Sequence, residues 1–215
     1  MEKAAVFKEI YDNYIADVAA LDLNRIGHRL GIEIDGDAAV IPFYGRLFSV
    51  SPRGVMDVRG RQPSHAVSVI LCKYLLLCPE AVPETGEDWV KYQDFKDARP
   101  FAGGFRNTAE KPISTAFSGR LEDLKRQCAA SGGQPGGVDI ACDLAVQFTA
   151  LPMVDLLLLF NDRDDEFPAD CSLLFQRRAA AYLDMECLAM LGMVLASWLK
   201  GRPTPGDGPP TEDFA

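Results

Sequence analysis

The sequence predicts an α+β fold: a mainly antiparallel sheet packed with about five helices, in one domain over residues 1–200. Three observations predict it. Apolar residues recur at helical spacing near both ends of the chain, first as Phe7, Ile10, Tyr14, Val18 and Leu21. Between residues 32 and 58 the pattern changes to short β-type runs separated by glycine turns, an N-terminal meander. Two C-terminal β-type runs follow, "DIACDLAVQF" and "LPMVDLLLLF", the second apolar enough for a central strand.

Each element has its own local reason. The first helix follows from that opening repeat. Asp22 then N-caps a short helix, "LNRIGHRL", and Gly31 ends it where a left-handed residue is favoured. The meander takes strands near 32–35, 38–43 and 46–50, with "GVMDV" a fourth; Asp35–Gly36 supplies a tight turn, because glycine accepts φ > 0 without a Cβ clash. Pro63 and Ser64 open the apolar helix "HAVSVILCKYLLL", which Pro79 stops. With so few polar positions, this helix belongs against the sheet. From Glu80 to Gly104 the chain is rich in Pro, Gly and charge, with a strand-like "DWVKY" inside it. A helix from about Lys111 to Ala130 precedes the break "SGGQPGG", and the two β-type runs come next. Asp184 caps the last helix, Leu183 and Leu188 are placed as a hydrophobic staple, and Glu186 suits the helix dipole. Its apolar stripe is Leu188, Leu191, Gly192, Leu195, Trp198 and Leu199, and Gly201 and Pro203 end it. The tail 201–215 has too little apolar surface to offset its ordering entropy and is expected to be disordered.

The charge balance narrows the partners. A net charge of −9 and a pI near 4.7, with no basic run, argue against a nucleic-acid binder, because phosphate affinity needs clustered Lys and Arg. The longest apolar segments, "VDLLLLF" and Cys187 to Leu199, fall short of the roughly 20 residues that span a bilayer, and the N-terminus carries no signal-peptide core. A cytoplasmic protein with no membrane partner is the expectation. Cys72, Cys78, Cys128, Cys142, Cys171 and Cys187 form no Cys-x-x-Cys pair and have no nearby His, so they are expected as reduced thiols, mostly buried. No cofactor and no metal ligand set is predicted.

Few motifs carry chemistry. Gly132 and Gly137 in "SGGQPGG" match a phosphate loop in part, but Val138 and Asp139 stand where Lys and Ser/Thr would contact phosphate and Mg²⁺. The segment also precedes a strand instead of a helix, and so reads as a flexible surface connector. His28 reads as solvated; His65 lies in the first turn of the apolar helix. No Gly-x-Ser-x-Gly elbow is present, and "FSGR" at Phe117–Arg120 lacks its flanks. The densest titratable group is in "FNDRDDEFPADCSLLF". Extended, Asp162, Asp164 and Glu166 would share one side, roughly 6–7 Å between alternate residues. They would then share a cation or divide acid and base roles, or else form the solvated end of a buried strand. An EF-hand loop fails, because Phe167 stands at its sixth position and Leu173 at its twelfth.

"EDWVKYQDF", "SGGQPGG", "ALPMVDLLLLFNDRDDEFPADCSLLF" and "YLDMECLAMLGMVLASWL" occur in that order and resemble the bacterial and archaeal family catalogued as domain of unknown function 3786. The resemblance covers about residues 5–200 and is most specific from Leu151 to Leu191, including Leu151–Pro152, Asp165 to Pro168, Leu174–Phe175 and Tyr182–Leu183. It implies an anaerobic host, and some members carry a small cysteine-rich iron–sulfur domain like that of corrinoid proteins. This chain has no such cysteine array, so cluster binding does not carry over. After Leu-Phe the family commonly has Asp, and this sequence has Gln176.

The leading expectation is a non-catalytic module that binds a small ligand or an iron–sulfur or corrinoid partner protein. An alternative is an enzyme with a carboxylate-based, divalent-metal-assisted site. Its catalytic candidates are Asp165 and Glu166, and its binding candidates are Asp164, Arg53 and His65. A third reading is a homo-oligomeric scaffold built on the apolar last helix. Within the acidic run, the match to the family ends in "DEFP", which singles out Asp165 and Glu166 over Asp162 and Asp164.

Overall fold

The computed structural model describes residues 2–81, 83 and 88–201, with backbone alone for 2–8, so the tail beyond Gly201 lies outside the described residues. The chain opens with α1 (Glu2–Ala19) and α2 (Leu23–Leu30). Next come β1 (Glu33–Asp35), β2 (Ala38–Phe43), β3 (Arg46–Ser51) and β4 (Gly54–Asp57). After α3 (His65–Leu76) and β5 (Trp89–Lys91), a helical stretch begins with a 3₁₀ turn at Arg99–Phe101. It continues as α4 (Ala102–Phe105), a π turn (Arg106–Glu110) and α5 (Lys111–Phe117), and α6 (Leu121–Ala130) follows. The second half holds β6 (Gln134–Pro135), β7 (Leu144–Leu151), β8 (Val154–Asn161), β9 (Asp170–Gln176) and α7 (Met185–Leu199).

All pairings are antiparallel, and the strands divide into two sheets, β1-β2-β3-β4 and β5-β9-β8-β7-β6. The expected α+β class is therefore the observed one. Five residues of β8, from Val154 to Phe160, are buried on a strand flanked by β7 and β9, which is why its sequence is so apolar. The first sheet touches the second at the β2–β3 turn, where the Tyr44 N–H donates to the Ala150 carbonyl at 3.0 Å. Tyr44 holds φ at 46°, and its hydroxyl donates to the Leu191 carbonyl of α7 at 3.1 Å. One apolar core runs from the meander through β7–β9 to α7.

The caps are as the sequence predicts. Asp22 accepts the Arg25 N–H, Gly31 closes α2 at φ 64°, Ser64 accepts the Val67 N–H, and Asp184 accepts the Cys187 N–H. Four elements depart from the sequence reading. The turn between β1 and β2 is Gly36–Asp37, one residue later than Asp35–Gly36, because Asp35 still pairs with Ala38. The helix expected from Lys111 to Ala130 starts earlier, at Ala102, and breaks at Gly119, whose φ of 71° a helix cannot continue through. The sequence marks no strand at Asp170–Gln176, yet β9 lies between β5 and β8. "SGGQPGG" is a packed edge, not a flexible connector. A Cβ on Gly133 would lie 2.5 Å from Val146, and one on Gly136 would lie 2.7 Å from Leu157, so only glycine lets β6 approach β7.

α7 is enclosed by α3, α4, α5, α6 and the π turn, and only Glu186 along it is exposed. A scaffold reading thus has no uncovered face of this helix to rest on. Gly192 meets Phe105 and Ala109 where a Cβ would lie 2.6 and 3.0 Å from them, which brings the π turn tight against α7.

Candidate functional site

The acidic run is the hairpin loop between Asn161 of β8 and Asp170 of β9. Asp162 Oδ1 accepts the Gly119 N–H at 2.6 Å and the Arg163 N–H at 2.8 Å, while the Asp162 N–H donates to Asp143 Oδ2 at 2.7 Å. Asp164 Oδ1 accepts the N–H groups of Glu166 and Phe167 at 2.8 and 2.7 Å, a side chain holding its own turn. Those two donors, Phe167 first, keep the Asp164 carboxyl below the ordinary range. The side chains of Asp165 and Glu166 are exposed and make no hydrogen bond or ion pair with any described residue. The first two acids of the run, Asp162 and Asp164, therefore order backbone, and the last two face water.

The other two binding candidates, Arg53 and His65, lie on other elements. Arg53 sits at the tip of the β3–β4 hairpin in the four-stranded sheet, mostly exposed and paired with Asp37 at 3.3 Å. No hydrogen bond or ion pair joins it to the acidic loop of the other sheet. His65 opens α3, partly buried, and burial lowers its pKa. His28 is exposed on α2. Gln176 has a clear partner: its Oε1 accepts Arg178 Nε–H at 2.7 Å, and Arg178 reaches Asp155 at 3.5 Å. Asp155 also accepts the Thr149 hydroxyl at 2.8 Å, so this half-buried chain of polar groups is satisfied link by link.

Chemistry concentrates instead at a cleft of about 680 Å³ between α5, α6 and the end of α7. Four cationic side chains line it, Lys111, Arg120, Arg126 and Lys200, against one carboxylate, Asp123. Asp123 accepts from Arg120 at 2.8 and 2.7 Å and from Arg126 on its other oxygen, so one carboxylate fixes two guanidiniums. The Arg120 bond first, then both positive charges, hold the Asp123 carboxyl below its ordinary range. The Lys111 ammonium has no partner among the described residues. The acidic loop serves this cleft indirectly, because Asp162 ties down Gly119, the residue beside Arg120.

The sequence reading missed this cleft. Arg120, Asp123 and Arg126 do show the three-residue spacing of helical neighbours. Lys111 and Lys200 join them only through the corner at Gly119 and the packing of α7, and no local pattern encodes either. Among the described residues, no group of three or more His, Cys, Asp or Glu side chains could hold a metal ion. All six cysteines are free thiols, and burial raises the pKa of Cys72 and Cys128 to about 12.

Fold and cleft together define an α+β protein of two antiparallel sheets, with α7 buried among the other helices and a cation-lined groove at its end. The chain belongs to the family described as domain of unknown function (DUF3786), whose profile matches residues 22–198. No curated protein and no solved structure matches it.

Proposed function

We propose that this protein is a non-catalytic cytosolic module that binds a small polyanion in the cleft between α5, α6 and α7. The carrying observation is the charge contrast: four cations face one carboxylate there, on a chain whose net charge is −9. The chain as a whole is anionic, so a cleft with this excess of positive charge is where an anion would collect. Arg120 and Arg126, already held by Asp123, present planar forks suited to phosphate or carboxylate oxygens. Lys111 supplies a mobile point charge across the groove. The volume suits a ligand of nucleotide size or smaller.

Calorimetric titration with pyrophosphate and with citrate tests this reading. Saturable, salt-sensitive binding that weakens about tenfold or more in Lys111→Gln/Arg126→Gln is expected. Absence of saturable binding of either anion, or equal binding by the variant, would sink it.

The proposal of an iron–sulfur or corrinoid partner in an anaerobe is supported only by the family resemblance. Affinity capture from an anaerobic host decides it, and reproducible absence of any redox or one-carbon protein counts against it. The carboxylate-enzyme proposal rests on the density of acids alone. Divalent-metal titration of the wild type and of Asp165→Asn/Glu166→Gln separates it, and equal, negligible binding by both removes it.

A further inference from the structure

β5 has only three residues and pairs with β9 at Leu174–Gln176, so among the described residues the outer edge of β9 from Asp170 to Leu173 has no strand beside it. The helical stretch crossing this edge changes there to a π turn, Arg106–Glu110, a distortion often found at functional sites. The turn delivers Glu110 to the open edge. Its Oε1 accepts the Leu173 N–H at 3.0 Å, standing in for the missing strand. No other described group donates to this carboxylate, so Oε2 is unpartnered.

A cavity of about 310 Å³ opens at the same place, between the π turn, the end of β5 and the start of β9. Its lining includes the stacked rings of Tyr92 and Phe105, 4.4 Å apart, and Ala102. Its charged groups are balanced: Lys91 and Arg106 on one hand, Glu110 and Asp170 on the other. All four interact, since Asp170, Arg106 and Lys91 are the charged neighbours of Glu110. Arg106 and Asp170 form only a loose pair at 3.7 Å, both well exposed, and such a pair opens at little cost. Burial first, and Asp170 after it, raise the Glu110 pKa, whereas the Leu173 N–H, Arg106 and Lys91 act the other way. A carboxylate in this state gains from an incoming cationic donor.

We propose that this cavity is a second ligand site, separate from the cationic cleft, which takes a small zwitterion: an α-amino acid with an aliphatic side chain. Its ammonium bonds Glu110 Oε2 and Asp170, its carboxylate meets Arg106 and Lys91, and its side chain lies on Phe105 and Tyr92. A simple anion would meet Glu110 and Asp170, and a simple cation would meet Arg106 and Lys91. Only a molecule bearing both charges satisfies all four groups. Nothing in this inference depends on the polyanion reading of the other cleft.

The test uses L-leucine, with 3-methylbutylamine and 4-methylpentanoate as the same molecule lacking one charge. Binding to the full chain is followed by calorimetry and by amide chemical shifts. Leucine is expected to bind saturably with shifts at Gly103, Leu173 and Ser172, and each single-charge analogue about tenfold more weakly or worse. Glu110→Gln keeps an acceptor for the Leu173 N–H and removes the charge, so it is expected to fold and lose leucine at least tenfold. Arg106→Gln, on an exposed position, is expected to lose leucine similarly and guards against a folding defect in the first variant. No saturable leucine binding, leucine binding by either variant as tight as that of the wild type, or an analogue that binds as tightly as leucine would overturn the proposal.

Discussion

Glu110 is partly buried with its pKa raised by burial, so its charged form opposes folding. The native carboxyl titrates above the ordinary 4.5, and the protonated form is the one the fold prefers. The Glu110 contribution to stability is therefore full below pH 4.5 and is lost as pH rises from there through the native value. Glu110→Gln removes that loss, and thermal melts across pH should show a flatter curve and a melting temperature above wild type at neutral pH. Asp162 matters through its hydrogen bonds. Asp162→Ala strips the acceptor from Gly119 and Arg163 and is expected to cost about 1–2 kcal/mol in urea unfolding. Asp165→Asn/Glu166→Gln, with no bonds to lose, should melt like the wild type.

At the level of elements, α7 depends on its first turn. Asp184 accepts the Cys187 N–H at 2.9 Å and pairs with Lys73 of α3 at 3.3 Å, so one side chain caps α7 and ties it to α3. Burial works against the charged form, yet the Cys187 and Lys73 bonds outweigh it and leave the Asp184 pKa low. Its contribution is present above pH 3.8 and is lost as pH falls through the lower native value. Asp184→Ala is expected to cost about 1–2 kcal/mol at pH 7, with the deficit shrinking in acid melts. Gly192 governs the other side of α7. Gly192→Ala drives a methyl into Phe105 and Ala109, and a loss of about 1–3 kcal/mol by denaturant unfolding is expected.

For the whole molecule, Tyr44 is the joint. Its N–H bonds the second sheet, its hydroxyl bonds α7, and its ring meets Phe43, Phe148 and Trp198 edge-on. A non-glycine residue at φ 46° persists only because these contacts over-determine it. Tyr44→Phe should cost about 1 kcal/mol, and Tyr44→Ala about 3–5 kcal/mol. Because one core spans both sheets, near-UV and far-UV circular dichroism should report a single transition for the wild type.

The sequence alone determined what is local. Helix caps at Asp22, Ser64 and Asp184, the meander strands and the apolar β8 are each written in residues a few positions apart, where periodicity and turn chemistry act directly. It also separated "DEFP" from the acids before it, although only the hydrogen bonds showed that Asp162 and Asp164 order backbone. Tertiary structure decided the rest. β9 is a strand because β5 and β8 flank it, and "SGGQPGG" is an edge because Gly133 and Gly136 fit beneath Val146 and Leu157. Lys111, Arg120, Arg126 and Lys200 make one groove, and Glu110 meets Leu173, only after distant segments pack. Such contacts join residues tens of positions apart, and no short-range pattern encodes a meeting that the shared core alone brings about.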